Sequence, residues 1–145
     1  MDSETKDTIW WGDVNIPLSP EAYEINKSRA IDYLNTCKYL FAIDGLGGWD
    51  SDYKLRCRVI CSRPYHALFM KTMLIRPTPT EIEADFEDGA DLTIFNAGEF
   101  AADLNNEGVD NETCVSVNYT KGEIAVLGTH YAGEMKKGLF GVMHY

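Results

Sequence analysis

The strongest constraint on the fold lies between Leu55 and Cys61. Leu55, Cys57, Val59 and Cys61 alternate with Lys54, Arg56, Arg58 and Ile60, which is the period of an extended strand with one apolar side. Directly after it, Pro64 to Met73 reads as a helix. A strand that feeds a helix implies a sheet with helices laid on it.

The rest of the chain fills out that plan. Ser19-Pro20-Glu21 opens a helix, with a side-chain cap, proline at the first helical position and an acid at the positive end of the dipole. Tyr23, Ala30, Tyr33, Leu34 and Cys37 recur at helical spacing and predict its buried stripe. Tyr39 to Asp44 predicts a short strand, and Gly45-Leu46-Gly47-Gly48-Trp49 a turn. No lysine or hydroxyl follows that turn where a phosphate-binding loop needs one. Thr78-Pro79-Thr80-Glu81 is a capping box that starts another short helix. Leu92 to Asn96, Cys114 to Asn118 and Ile124 to Leu127 are further strands, and the last two flank Thr120-Lys121-Gly122 as a hairpin. Strands and helices mix without strict alternation. The expected fold is α/β, a mixed β-sheet flanked by helices.

With 145 residues and 45% apolar content, one domain can bury a core without disulfides or a structural metal. Acidic residues outnumber basic ones 23 to 13, for a net charge of −10. That balance argues against nucleic acid or a membrane surface as partner, since both call for a basic footprint. Met1 is followed by Asp-Ser-Glu-Thr-Lys-Asp rather than an apolar leader, and no run approaches a membrane span. Cys37, Cys57, Cys61 and Cys114 lack paired spacing, so free thiols and a cytoplasmic location are expected. There, the glycosylation patterns at Asn26 and Asn111 carry no meaning.

Several constellations suggest chemistry. Cys57, Cys61 and His66 are zinc-ligand types, but alternation puts both thiols on one strand face and no fourth ligand lies nearby. Ser62 and His66 could be drawn as a hydrolytic pair, yet Ser62 lacks the glycines of a nucleophile elbow. Trp10-Trp11, before Asn15-Ile16-Pro17, reads as aromatic packing.

The constellation with the most distinct chemical demand is near the carboxyl end. Met135, Leu139, Val142 and Met143 recur at helical intervals within Ala132 to Tyr145. Lys136 and Lys137 therefore fall in the first turns of a helix, where cations oppose the macrodipole by some tenths of a kcal/mol each, roughly. Free amide groups point the same way. An anion ahead of the helix would justify the arrangement; lysines turned to water, partly offset by Glu134, would account for it equally. Gly133 and Gly138 permit close approach, and Tyr131 offers a hydroxyl beside the site.

Tyr131-Ala132-Gly133-Glu134-Met135-Lys136-Lys137-Gly138 resembles the signature of ATP-dependent phosphoenolpyruvate carboxykinases. The likeness extends over most of the chain. Ile9 to Pro17 resembles the family's opening segment, Arg63 to Pro77 its helix and turn, Asp91 to Gly98 one of its strands, and Ile124 to Tyr131 the strand leading into the site. The stretch from Phe100 to Glu112 departs from the family in character, and His130 stands where members vary.

This resemblance implies an enzyme that converts oxaloacetate and ATP to phosphoenolpyruvate, CO2 and ADP in gluconeogenesis, with Mg2+ on the nucleotide and Mn2+ at the active site. It implies that Tyr131 contacts the carboxylated substrate or CO2. Lys137 would ligate manganese and reach both substrate and the ATP phosphate, and Lys136 would help hold CO2 and the transferring phosphoryl group. An amine ligates a metal only in its neutral form, which neighbouring cations favour. No Gly-x-x-x-x-Gly-Lys-Ser/Thr motif occurs in the 145 residues. The expectation is therefore that residues 1–145 are an incomplete part of the N-terminal, substrate-binding domain. The nucleotide-binding C-terminal kinase domain would be a missing partner, and the chain would be inactive alone. The rival is a non-catalytic anion-binding or interaction module derived from that domain; a stand-alone metal protein using Cys57, Cys61 and His66 is the third reading.

Overall fold

A computed structural model of the chain describes residues 16–48 and 54–144. The Trp10-Trp11 segment, Trp49 and Tyr145 lie outside the described residues. Helix α1 spans Pro20–Thr36, capped by Ser19, whose hydroxyl accepts from Ala22 N at 3.1 Å. Strands β1 (Phe41–Gly47) and β2 (Leu55–Cys61) precede helices α2 (Pro64–Met73) and α3 (Pro79–Asp85). Strands β3 (Leu92–Ala97), β4 (Cys114–Asn118) and β5 (Glu123–Leu127) lead to helix α4 (Gly133–His144).

The five strands form one mixed sheet in the order β1-β2-β3-β5-β4. β2, β3 and β5 run parallel, while β1 and β4 are antiparallel edges. Alternation along each strand divides the core between two faces. Cys57, Val59, Ile94, Ile124 and Val126 pack with Met70 of α2 and with Met135 and Leu139 of α4. Phe95, Ala97 and Leu127 face the other way, onto Ala30 and Leu34 of α1. Helices thus cover both faces, the arrangement that a largely parallel sheet requires. Among the described residues no helix is long and apolar enough to cross a membrane.

Two expectations need correction. Gly45-Leu46-Gly47, read as part of a turn, is the second half of β1, and the strand begins at Phe41 rather than Tyr39. The reason is tertiary. Leu74 sits so close to Gly45 that a Cβ there would lie 2.6 Å from the leucine Cβ, and Leu46 exchanges two backbone hydrogen bonds with Ile75. Glycine is therefore in the strand because another segment crosses over it. In α1, Tyr33 and Cys37 are only half-buried, and Cys37 is the residue that ends the helix.

The unusual loop after β3 is anchored to the domain. Ala102 N donates to Glu112 O, and Gly128 N to Phe100 O, both at 2.8 Å. Asn106 reaches from this loop to Ala22 O at 2.9 Å and to Asn26 Oδ1 at 3.2 Å.

Candidate functional site

The carboxyl ends of β2, β3 and β5 face one side, because those three strands are parallel. Open α/β sheets gather ligand groups at such an end. The β5 end continues through Gly128-Thr129-His130-Tyr131 into α4, so the sheet aims the lysine-bearing helix.

Four contacts hold that connection. Gly98, just past β3, lies against Thr129, and a Cβ at 98 would fall 1.9 Å from the Thr129 carbonyl oxygen. His66, 2% exposed, has Nε2 2.9 Å from His130 O. Tyr131 N donates to Thr129 Oγ1 at 3.2 Å, and Ala132 N to the Tyr65 hydroxyl at 3.4 Å. Asn96 lies beneath them, 1% exposed. Its Nδ2 is 3.3 Å from His66 Nδ1 and 3.1 Å from Met135 Sδ, and its Oδ1 accepts from Gly98 N at 3.0 Å.

Above this support, Tyr131 is 60% exposed and its ring lies over Gly133. Lys137 Nζ stands 5.8 Å from the centre of that ring and 4.0 Å from Glu134 Oε1, an arrangement of cation, aromatic face and carboxylate at the start of α4. Lys136 points elsewhere on the helix, with Nζ 5.7 Å from the Phe140 ring. Tyr131 and Lys137 thus come together, whereas the Lys136 contact lies one turn further along α4. All three side chains belong to exposed residues and can meet a ligand.

Glu99 organises the adjoining ground at the β3 end. It accepts from Ser62 Oγ at 2.5 Å, from Tyr33 OH at 2.9 Å and from Arg63 Nε. Burial pushes its carboxyl up, but the hydrogen bonds from Ser62, Arg63 and Tyr33 outweigh that and hold it below the usual carboxylate range. Ser62 is thereby committed to a carboxylate, not to His66. Cys57 and Cys61 point into the core, where burial pushes their thiols up to about 12 and about 11. Both ring nitrogens of His66 are engaged elsewhere. Among the described residues, no three His, Cys, Asp or Glu side chains are grouped to hold a metal ion.

The signature of the phosphoenolpyruvate carboxykinase family matches residues 1–145. The chain belongs to the phosphoenolpyruvate carboxykinase family. It is 51% identical over 141 residues to phosphoenolpyruvate carboxykinase (ATP) of Neurospora crassa, covering 97% of this chain and 23% of that protein. Against phosphoenolpyruvate carboxykinase (ATP) 2 of Salinibacter ruber it is 49% identical, covering 97% of this chain and 26% of the relative. Against phosphoenolpyruvate carboxykinase (ATP) of Saccharomyces cerevisiae it is 48% identical, covering 97% and 25%. The chain spans about a quarter of the length of these curated relatives. The mixed five-stranded sheet with its four helices is the α/β architecture expected for part of such a carboxykinase.

Sequence reading placed the signature residues of this carboxykinase segment but missed their support. Asn96, Gly98 and Tyr65 carried only a faint signal: an asparagine closing an apolar strand just before Ala-Gly, and a tyrosine beside a histidine.

Proposed function

We propose that this chain supplies the substrate-facing part of an ATP-dependent phosphoenolpyruvate carboxykinase, acting on oxaloacetate and ATP to give phosphoenolpyruvate, CO2 and ADP. One observation carries the reading: Tyr131 and Lys137 converge over the first turn of α4, at the carboxyl ends of the parallel strands. A carboxylate or phosphoryl group there would meet the Lys137 ammonium, the Tyr131 hydroxyl and the positive end of a helix. Those are the groups that stabilise charge developing on an enolate or on a transferring phosphoryl oxygen. Lys136, on the adjoining face of α4, would have to swing away from Phe140 to reach the same ligand. We assign substrate binding to Tyr131 and Lys137, charge stabilisation to both lysines, and contact with the ATP phosphate to Lys137.

A divalent ion such as Mn2+, or Mg2+ with the nucleotide, would activate these same oxygens by polarising them. The described residues do not make a complete site for one. Lys137 offers a single nitrogen, it lies within ion-pair distance of Glu134, and metal affinity requires several ligands in fixed geometry. The described residues provide no further set. The remaining ligands and the nucleotide-binding loop would belong to a kinase domain outside these residues, so the chain alone is not expected to turn over.

Two assays test this reading. In the first, the purified chain is followed for oxaloacetate loss with ATP and Mn2+; turnover would overturn the incompleteness. In the second, residues 1–145 replace the matching segment of a full-length relative, and Lys137→Met is compared with the unaltered graft. A fall in kcat of about 10²–10³ is expected. Undiminished decarboxylation would remove Lys137 from the mechanism. A graft that never turns over, combined with a chain that binds phosphoenolpyruvate, would favour the non-catalytic anion-binding module.

A further inference from the structure

Asn96 and the His130 carbonyl together set the tautomer of a buried histidine. Gly98 N donates to Asn96 Oδ1 at 3.0 Å, which fixes the orientation of the amide. Its NH2 group then faces His66 Nδ1 at 3.3 Å and Met135 Sδ at 3.1 Å. An amide NH2 is only a donor, so Nδ1 must present its lone pair. The ring proton therefore sits on Nε2, which points at the His130 carbonyl oxygen 2.9 Å away and donates to it. Rotating Asn96 to offer its oxygen would orphan Gly98 N in a buried setting. Every polar atom of this relay has one consistent role.

The relay joins three elements: β3 through Asn96, α2 through His66, and the β5–α4 connection through His130. Next to it, the Tyr65 ring lies 4.8 Å from the His66 ring, and its hydroxyl accepts from Ala132 N. Two successive residues at the start of α2 thus hold backbone groups on either side of Tyr131.

From this geometry we infer that His66, in the Nε2–H form favoured by both Asn96 and the His130 carbonyl, is a positioning residue that sets the backbone carrying Tyr131 and so the pairing of Tyr131 with Lys137. The inference rests on the site assignment above for its functional meaning, but its structural content stands apart from it. Removing the Nε2–H donor frees the His130 carbonyl, and the Tyr131 ring loses its fixed seat over Gly133.

Nuclear magnetic resonance on the 145-residue chain tests this. Long-range nitrogen–proton correlation in histidine-labelled protein should show His66 wholly as the Nε2–H tautomer; an Nδ1–H form, or an average of both, overturns the relay. Asn96→Leu removes the donor to Nδ1 while the His130 carbonyl still accepts from Nε2, so the Nε2–H tautomer should stay and the Nδ1 nitrogen signal should shift downfield as its lone pair loses its partner; an unmoved Nδ1 signal overturns the role of Asn96. The contact between Tyr131 ring protons and Gly133 Hα should persist in His66→Gln, which keeps a donor and an acceptor. It should vanish in His66→Phe, which keeps bulk alone, while the β5 methyl signals remain in place. Persistence in His66→Phe overturns the positioning role.

Titration of the full-length graft with phosphoenolpyruvate adds the functional arm. His66→Phe should weaken binding about tenfold, and His66→Gln should restore it. An unaltered graft that ignores phosphoenolpyruvate would defeat the site assignment, yet the tautomer and the ring contact would still decide the relay. Should His66→Phe fail to fold, the wild-type tautomer and the Asn96→Leu nitrogen shift carry the decision.

Discussion

The ring of Tyr131 occupies the space that a side chain at Gly133 would fill: a Cβ there would lie 2.5 Å from ring atoms Cε1 and Cζ and 2.7 Å from the hydroxyl. Because Tyr131 is 60% exposed, the ring can swing into water instead of straining the core. Gly133→Ala should therefore change unfolding free energy by less than about 1 kcal/mol, since alanine also favours the helix. It should nevertheless displace the ring from Lys137 and weaken phosphoenolpyruvate binding by the full-length graft. Denaturant midpoints and titration measure the two effects separately. Loss of fold together with binding would contradict this division.

Gly98 presents the opposite case. A Cβ at this position would strike the Thr129 carbonyl oxygen at 1.9 Å, and backbone does not swing aside. Gly98→Ala should cost about 2–3 kcal/mol, read as a lowered urea midpoint. A neutral outcome would mean that the β3 end and the Thr129 segment do not meet.

Native thiol chemistry should separate the four cysteines. Cys57 and Cys61 are 0% exposed, and burial pushes them up to about 12 and about 11, so little thiolate forms at pH 8. Iodoacetamide should modify half-buried Cys37 and Cys114 first and reach Cys57 and Cys61 only after denaturation. Mass spectrometry of the peptides gives the order; rapid native labelling of Cys57 would contradict the packing of β2.

Acid should loosen the fold through named carboxylates. The hydrogen bond from Arg56 holds Asp91 below its usual range, and Glu99 is held low as described. For both, the folded-state value lies under the unfolded one, so the stabilisation is complete above the ordinary carboxylate range, about pH 4. It is lost as pH falls through the lowered folded values. Urea midpoints below about pH 4 should decline less steeply in Asp91→Asn and Glu99→Gln than in the wild type. Parallel curves would show that these pairs do not drive the acid transition.

The contact between α1 and β4 turns on Asn26, which is 0% exposed. Its Nδ2 donates to Ser116 Oγ at 2.8 Å, while its Oδ1 accepts from Asn106 Nδ2 at 3.2 Å. Asn26→Ala takes one hydrogen bond from Ser116 and one of two from Asn106, which keeps Ala22 O, and should cost about 1–3 kcal/mol. Thermal unfolding measures it, and an unchanged midpoint would rule the network out as a source of stability.

Much of this was legible in the chain. The alternation at Leu55–Cys61 marks β2, Ser19-Pro20 marks the start of α1, and the spacing of Met135 and Leu139 marks the buried side of α4. The Thr78 cap also forms: its hydroxyl accepts from Glu81 N at 3.3 Å, though it donates to the Glu81 carboxylate at 3.0 Å where a full capping box would have the Thr78 backbone N–H do so. The failure at Gly45-Leu46-Gly47 is instructive, because glycine marks a turn and a close crossing alike. Only the position of Leu74 tells them apart.

The sequence by itself determined where most strands and helices form, the acidic balance, and the signature Tyr131 to Gly138 with its two lysines. Those properties are local: periodicity records which side of an element is apolar, and charge needs no partner to be counted. Only the tertiary structure decided that His66 would hold the carbonyl of His130, that Asn96 would fix the histidine, and that Tyr131 and Lys137 would share one end of the sheet. Those pairings depend on β3 lying between β2 and β5. Strand order is set by how the crossovers bury both faces of the sheet at once, a condition that no single segment carries.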